Sequence, residues 1–443
     1  GPDRLERPML KQGGEWREVD WQTALEYVAN GLQDIDAEHG SASIGALVSP
    51  HSTLEELYLA GALVRGIGSG NIDYRLRNAD FEPAPGVRWL GRSIASLSTL
   101  AAVLVVGSNV RKDHPLFAQR IRQAQRKGGV VSSVNSVQPD WAMPVANSLV
   151  ACASEWLRAL AEIAAAVART NEVSAPVSDI EPSAVSSDIA KALLRGENKA
   201  ILLGNAAAHH SQASKLLALC NWIGEQTGAS VGYLTEAANT VGAQWVNALP
   251  DAGALHAGQM LSGALKGVLL LNTEPVWDSA AGAGAVGALA GADMVVTLSP
   301  FKTNMDFSDV LLPIAPFTET SGSFVNAEAR LQSFHAVVRP LGETRPGWKV
   351  LRVLANLMEI PGFEFETSQD VLGQIAGAQS NAAALPSALL SNRSEALVSC
   401  DVSGVANEAP ASAAIYQLDS LVRRSPSLQA TRDGRAAVGE VQP

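Results

Sequence analysis

The sequence contains few cysteines and few aromatic residues. Only three cysteines occur among the 443 residues, namely Cys152, Cys220 and Cys400, and aromatic side chains make up 5%. An iron–sulfur cluster requires about four thiolates, so this chain cannot hold such a cluster by itself. Three scattered cysteines also exclude a disulfide framework. Low cysteine content is typical of a protein from a reducing compartment.

Positive charge is also in short supply. Lysine and arginine total 33 against 44 aspartates and glutamates, which leaves a net charge of -11. Proteins that bind duplex nucleic acids need a positive surface that displaces counterions, so we predict no nucleic-acid partner. The hydrophobic fraction of 47% is too high for a disordered chain and supplies sizeable cores.

No apolar run in the sequence is long enough to cross a membrane, which takes about 20 residues. The uncharged stretch between Asp278 and Asp293 is short and rich in glycine and alanine, and residues 371–392 carry Gln, Ser, Asn and Pro386. We therefore predict no direct membrane span. The Gly1-Pro2 start is typical of a protease-cleavage scar, which suggests a chain that begins inside a longer protein; the alternative is a native start that lacks its Met.

Several short, unbroken apolar runs alternate with helical patterns. The clearest are Ala101–Val106, Ala200–Leu203 and Gly267–Leu271, with Met294–Leu298 interrupted only by Thr297, and such runs are typical of parallel strands covered on both faces. Alternating strands and helices predict an α/β fold with doubly wound, mostly parallel sheets and an inserted second α/β domain.

The same patterns suggest domain limits. Residues 1–19 are polar and are interpreted as a connector. We assign the main α/β domain to residues 20–98 and 196–360, and the inserted domain to residues 99–195. Residues 361–443, which become rich in alanine and serine, are predicted to be largely irregular.

Polar turns follow some of the predicted strands. They are Gly107-Ser108-Asn109, Gly204-Asn205 and Asn272-Thr273-Glu274. In doubly wound sheets, ligands bind at the carboxyl ends of the strands, so backbone donors and small side chains there are candidates for holding phosphates. The alternative is that any α/β domain needs glycine and asparagine in such tight turns.

Two motif matches are set aside because their context is wrong. Gly228–Gly232 matches Gly-x-Ser-x-Gly, but a helix precedes it and a strand follows, whereas a nucleophile elbow requires the reverse order. Gly228 is better interpreted as a helix cap. Gly282–Gly287 matches Gly-x-Gly-x-x-Gly, but it begins about ten residues after its strand, too late for a dinucleotide fingerprint. We predict instead a small-residue helix packed on the sheet.

A family resemblance emerges from the last third of the chain. The segments 292–296, 309–313 and 319–332, the last containing Glu319 and Asn326, resemble the molybdopterin oxidoreductases, which carry molybdenum or tungsten on a bis-pterin guanine dinucleotide. The likeness spans roughly residues 3–360. Two positions depart from the family pattern: Ser323 stands where threonine is usual, and Ala329 where glycine is usual. An alanine there would crowd a ligand.

Within that family, the likeness is strongest to the largest peripheral-arm subunits of bacterial NADH:quinone oxidoreductase (respiratory complex I), because residues 418–433 resemble their C-terminal signature. The resemblance implies a cofactor-free scaffold without catalytic or metal-binding residues. It implies 4Fe-4S and 2Fe-2S clusters in a preceding part of the protein, and partners among the other peripheral-arm subunits. It also implies a peripheral location on the cytoplasmic side of the inner membrane.

Under that interpretation, a vestigial pocket would retain residues that active relatives use. The candidates are Gly107, Ser108, Asn109, Gly204, Asn205, Glu319 and Asn326. The alternative is a fragment of an active molybdopterin-dependent dehydrogenase, similar to formate dehydrogenase, with a pterin bound at the turns after the strands. A free-standing nucleotide-binding module is a third hypothesis.

Overall fold

The fold is described from a computed structural model, which defines residues 3–377, 383–398 and 414–439. Gly1-Pro2, interpreted above as a cleavage scar, and Cys400 lie outside the described residues. The strands, in chain order, are β1 Met9–Gln12, β2 Glu15–Glu18, β3 Ile44–Val48, β4 Ile72–Asp73, β5 Ala102–Val106, β6 Val130–Asn135, β7 Asn147–Val150, β8 Lys199–Leu203, β9 Ser230–Tyr233, β10 Gly267–Leu271, β11 Met294–Ser299, β12 Val310–Pro313, β13 Gly322–Val325 and β14 Leu331–Phe334.

Helices alternate with these strands along most of the chain. They are α1 Trp21–His39, α2 Leu54–Ile67, α3 Val110–Asp113, α4 Pro115–Arg126, α5 Trp156–Asn171, α6 Ala184–Leu194, α7 Asn205–Ala208, α8 Ala213–Thr227, α9 Thr240–Trp245, α10 Ala257–Gln259, α11 Pro275–Asp278, α12 Gly284–Ala290, α13 Gly347–Leu357, α14 Ser368–Ala376, α15 Ile415–Leu418, α16 Ser420–Arg423, α17 Pro426–Gln429 and α18 Arg432–Gly439.

The chain divides into two compact units. The first unit comprises Gly1–Arg77, Ala237–Asn326 and Arg330–Ala384, and the second comprises Asn78–Glu236, Ala327–Ala329 and Leu385–Pro443. Among the described residues, no helix is long and apolar enough to span a membrane.

The first unit is built on a seven-stranded sheet in the order β2-β1-β12-β11-β10-β3-β4. Its central strands run parallel, whereas β1 pairs antiparallel with β12 and with β2 at one edge. The residue before the helix α1 is Asp20, whose carboxylate accepts a hydrogen bond of 2.8 Å from the Thr23 backbone N–H, as expected of an N-cap.

The second unit contains a parallel five-stranded sheet in the order β7-β6-β5-β8-β9. Alternate side chains of β5 enter two cores: Leu104 and Val106 belong to a cluster with residues of α5 and α8, and Val103 to one with residues of α4. Both faces of the strand are therefore buried, which explains its unbroken apolar sequence. The strand order reverses between β5 and β8, the position at which such sheets bind ligands.

The predicted fold class is confirmed, since both units are α/β and their sheets are mostly parallel. The unit boundaries differ from the predicted ones. The longest segment of the second unit is Asn78–Glu236, which extends beyond the predicted 99–195 at both ends, because β8 pairs in parallel with β5 and β9 with β8. Because these pairings join strands that are far apart in the sequence, local sequence patterns do not reveal them. Within 361–443, predicted to be irregular, α14 and α15–α18 are helical.

The structure also shows what the two rejected motifs form. Gly228 ends α8 in the left-handed conformation (φ 74°), and β9 begins at Ser230, so its interpretation as a cap is confirmed. The glycine-rich segment forms α12 as predicted, but Ala285 and Leu289 form its buried face. Apart from the chain neighbours and the helix's own backbone, no described atom lies within 4 Å of a Cβ built on Gly284 or Gly287, so the buried face of this helix is formed by Ala285 and Leu289 and not by these glycines.

Candidate functional site

A cavity of about 230 Å³ lies at the carboxyl edge of the five-stranded sheet. It is formed by the turns that follow β5 and β8 and by the end of β6. The hydroxyl, amide and charged residues that line it are Ser108, Asn109, Lys112, Asp113, Asn135, Ser136 and Asn205. The structure thus brings together two turns that the sequence analysis had singled out separately.

Glycines allow these two turns to approach each other closely. Gly107 adopts φ 63°, a conformation that side chains other than glycine rarely tolerate. The Gly204 N–H donates to the Val106 carbonyl at 2.8 Å, and the Ala206 N–H donates to the Gly107 carbonyl at 3.1 Å. A Cβ on Gly204 would lie only 2.2 Å from Ser108 Cβ. Both glycines are therefore required by the packing of the turns, which supports the structural alternative for these two positions.

The polar residues beside the glycines are not explained by packing. Ser108 and Asn205 are 5% and 6% exposed. The Oδ1 atoms of Asn205 and Asn109 and the Oγ of Ser108 are buried without a hydrogen-bond partner among the described residues. Buried polar atoms in folded proteins nearly always have a partner. Three such atoms around one cavity indicate that the site binds a polar ligand or ordered water.

Asp113 places a carboxylate in the cavity wall. Its Oδ2 accepts a hydrogen bond of 3.2 Å from the Asn109 backbone N–H. Burial raises the pKa of Asp113 to about 6, although this bond and the nearby Lys112 ammonium act in the opposite direction. The Ser108 hydroxyl also lowers the pKa by proximity, but it does not reach hydrogen-bond geometry. Asp113 therefore changes charge close to neutral pH.

The end of β6 differs from an ordinary dinucleotide site. In an ordinary dinucleotide site, an acidic residue about 20 positions after the glycine turn accepts hydrogen bonds from a ribose. Here Asn135 ends the strand, and its Nδ2 donates to the Ser108 carbonyl at 3.0 Å. An amide that stabilises the first turn thus stands where a carboxylate is usual, and Asp113 contributes the cavity's negative charge.

Glu319 and Asn326 belong to the first unit and do not line this cavity. Glu319 accepts two hydrogen bonds from the Arg4 guanidinium, at 2.7 and 2.9 Å. Asn326 lies in the turn between β13 and β14, where its Oδ1 accepts a hydrogen bond of 3.0 Å from the Arg330 N–H. In the structure both side chains therefore make contacts that stabilise their own unit.

Lining residues that were not predicted as site residues include Lys112, Asp113 and Asn135. Lys112 and Asp113 lie in α3, the short helix that directly follows the Gly107-Ser108-Asn109 turn. Asn135 is the last residue of its strand. Each of these residues lies at or just after the end of a predicted strand, and this position in the sequence could have identified it as a candidate. Among the described residues, no group of three or more His, Cys, Asp or Glu side chains is arranged to hold a metal ion.

Comparison with known proteins identifies the family. The molybdopterin oxidoreductase family model matches residues 4–357. A putative formate dehydrogenase from Staphylococcus aureus strain MRSA252 is 24% identical over 456 residues, covering 84% of this chain and 45% of that protein. A second, from strain bovine RF122 / ET3-1, is 24% identical over 458 residues with the same coverage. The chain thus spans about half the length of these curated relatives.

The structural comparison agrees with the fold. The acetylene hydratase from Pelobacter acetylenicus superimposes with a TM-score of 0.59 at 15% identity, covering 84% of this chain and 64% of that one. At this identity the likeness concerns the fold alone. Since the family model matches most of the sequence, the chain belongs to the molybdopterin oxidoreductase family.

This membership corrects one prediction. The resemblance to the peripheral-arm subunits implies no cofactor in this region, and the methyl group of Ala329 is expected to crowd a ligand. The family match and the formate dehydrogenase-like relatives imply a molybdopterin cofactor instead. Ala329 adopts φ 62° and is fully buried, so its methyl group is accommodated in the fold despite a conformation that favours glycine.

Proposed function

We propose that this chain is the pterin-dinucleotide-binding part of a molybdopterin-dependent oxidoreductase similar to formate dehydrogenase. The observation that carries the proposal is the cavity at the β5–β8 switch point, where Ser108, Asn109 and Asn205 present buried polar atoms with no partner among the described residues. The formate dehydrogenase-like relatives supply the reaction class.

The chemistry of the lining residues fits the nucleotide end of such a cofactor. The Lys112 ammonium would neutralise a phosphate, and the amides and hydroxyl would bind phosphate or ribose oxygens. Asp113 would accept hydrogen bonds from a sugar hydroxyl or from the N–H groups of a nucleobase. The volume of about 230 Å³ is below the 300–1,000 Å³ of typical ligand pockets, so this cavity suits one end of the dinucleotide.

The residues of the cavity bind and orient; they do not carry out the redox step. When bound, the cofactor supplies metal-centred two-electron chemistry. The role of this chain is to fix the nucleotide end through Lys112, Asn109 and Asn205, which sets the position of the pterin attached to it.

Binding of guanosine diphosphate to the natural sequence and to the variant Asn205→Ala tests this assignment. We expect isothermal titration calorimetry to detect binding to the chain and a loss of roughly three- to tenfold in affinity for the variant, the effect of removing one hydrogen-bonding side chain. Asn171→Ala, in an exposed residue at the end of α5, is the matched control and should bind as the natural sequence does. Equal affinities for all three proteins would count against the cavity as the site.

The second candidate function is the large peripheral-arm subunit of NADH:quinone oxidoreductase. It is supported by the resemblance of residues 418–433, which lie in the helices α15–α18. Under this candidate, 4Fe-4S and 2Fe-2S clusters elsewhere in the protein carry electrons from NADH to quinone. Other peripheral-arm subunits would hold the protein to the cytoplasmic side of the inner membrane.

The two candidates predict different activities for the complete protein in its native assembly. Reduction of a viologen dye by formate supports the formate dehydrogenase-like function. Reduction of quinone by NADH that is lost when the gene is deleted supports the NADH:quinone oxidoreductase function. Absence of the formate-dependent reaction from a cofactor-loaded preparation would overturn the first candidate.

A further inference from the structure

The helices α15–α18 form a small cluster held by its own hydrogen bonds. The Asp419 carboxylate accepts bonds of 2.8 and 2.9 Å from the N–H groups of Leu421 and Val422. The Gln429 amide donates to the carbonyls of Tyr416 and Val422, at 3.0 and 2.9 Å. The segment from Ala414 to Gly439, called here the C-terminal cap, therefore has a defined shape of its own.

The C-terminal cap lies at the candidate cavity. Ala414, its first described residue, is one of the residues that line the cavity. At its other end, the Asp433 carboxylate lies 3.4 Å from the Lys112 ammonium and 3.7 Å from the Arg111 guanidinium. Lys112 is itself a lining residue. One carboxylate of the cap thus neutralises the positive charge that the cavity offers to a ligand.

We propose that the C-terminal cap is a built-in competitor of the nucleotide, in which the Asp433 carboxylate occupies Lys112 until the ligand's phosphate displaces it. This inference rests on the proposed nucleotide-binding function of the cavity. A carboxylate and a phosphate both seek charge-assisted hydrogen bonds from an ammonium group. Binding of a diphosphate would therefore break the Asp433 contacts and release this end of the cap.

The ion pairs that Asp433 makes with Lys112 and Arg111 are weak enough for a ligand to replace them. Asp433 and Lys112 are 29% and 23% exposed, and Arg111 is 34% exposed, so solvent screens both ion pairs. Arg111 also donates to the Asp140 carbonyl at 2.8 Å, so it keeps a partner when Asp433 leaves. The buried oxygen atoms of Asn205 and Ser108, in contrast, gain partners only when something enters the cavity.

Removal of the Asp433 charge should strengthen ligand binding. We expect Asp433→Asn to bind guanosine diphosphate about threefold more tightly in calorimetry, the effect of one screened ion pair. Asp188→Asn is the matched control, since it removes an exposed aspartate that pairs with Lys191 within α6, and its affinity should not change. A second measurement follows trypsin cleavage after Arg432 and Arg435, the exposed arginines on either side of Asp433, which we expect guanosine diphosphate to accelerate.

The outcomes separate this inference from the function on which it rests. If Asp433→Asn binds no more tightly and the ligand leaves cleavage of the cap unchanged, while Asn205→Ala weakens binding, the cap is not a competitor and the site stands. If guanosine diphosphate binds to neither the natural sequence nor Asp433→Asn, the nucleotide site itself is wrong and both proposals fail.

Discussion

Gly204→Ala should abolish guanosine diphosphate binding and destabilise the second unit. The added Cβ would lie 2.2 Å from Ser108 Cβ and 2.5 Å from the Gly107 carbonyl oxygen. These neighbours belong to the opposing turn and cannot rotate away as a long side chain would, so the two turns must separate. Overpacking of this kind costs about 1–3 kcal/mol of unfolding free energy, and separation of the turns alters the cavity directly. Urea unfolding and calorimetry on the same preparation measure both effects.

Gly287→Ala is the matched control for this experiment. Gly287 lies within α12, and outside the backbone of its own helix no described atom is within 4 Å of the position that an alanine Cβ would take there. Alanine is favoured over glycine inside a helix by roughly 0.5–1 kcal/mol, so this variant should be slightly more stable and bind the ligand normally. Retained binding in Gly204→Ala would count against the β5–β8 turns as the ligand site, and lost binding in Gly287→Ala would point to the glycine-rich segment instead.

The natural sequence should also lose stability between pH 5 and pH 8, through Glu55 and Glu56. Both side chains are almost fully buried at the start of α2. Glu55 accepts a hydrogen bond of 2.9 Å from the Ser323 N–H, and Glu56 accepts one of 2.9 Å from the Thr53 N–H. Burial raises the pKa of each to about 7, and the neighbouring Glu55 carboxylate raises that of Glu56 further.

The direction of the pH effect follows from these values. Between pH 4.5 and 7, both glutamates are protonated in the folded protein, where their pKa is about 7. In the unfolded chain, where the pKa is 4.5, they have already lost these protons. This contribution to stability is complete below pH 4.5 and is lost as the pH rises through 7. At about 1.4 kcal/mol for each pKa unit, the loss is on the order of 3 kcal/mol per buried glutamate.

Glu56→Gln isolates this contribution. Glutamine keeps the capping contact with Thr53 but has no proton to lose, so the variant should match the natural sequence at pH 5 and exceed its stability at pH 8. Glu26→Gln, an exposed position on α1, controls for a change of surface charge. Urea unfolding at the two pH values provides the free energies. Parallel pH dependences for the natural sequence and Glu56→Gln would show that Glu56 does not titrate in this range.

The same two glutamates show where sequence reasoning reaches its limit. Their position in the first turn of α2 suggests favourable interaction of exposed carboxylates with the helix dipole. In the structure, both are buried, and desolvation outweighs their hydrogen bonds in setting their pKa. Burial depends on the packing of Ser323 and Gly347, which are distant in the sequence, so no local pattern could reveal it.

The candidate site, too, was predictable only in part from the sequence. The turns at Gly107 and Gly204 follow strands whose apolar sequences are unmistakable, and the rule for parallel sheets places their ends together. Lys112 and Asn135 were missed because their place in the cavity wall depends on the direction of α3 and on the register of β6 beside β5. The contact of Asp433 with Lys112 joins residues more than 300 positions apart.

The most direct test of the account is the cofactor content of the chain purified from a host that makes molybdopterin cofactors. Fluorescence of the oxidised pterin and elemental analysis for molybdenum and tungsten would be measured on the natural sequence and on Gly204→Ala. We expect pterin dinucleotide bound to the natural sequence and little or none bound to Gly204→Ala. Background levels of pterin on the natural sequence, while a known molybdopterin enzyme from the same cells is fully loaded, would contradict it.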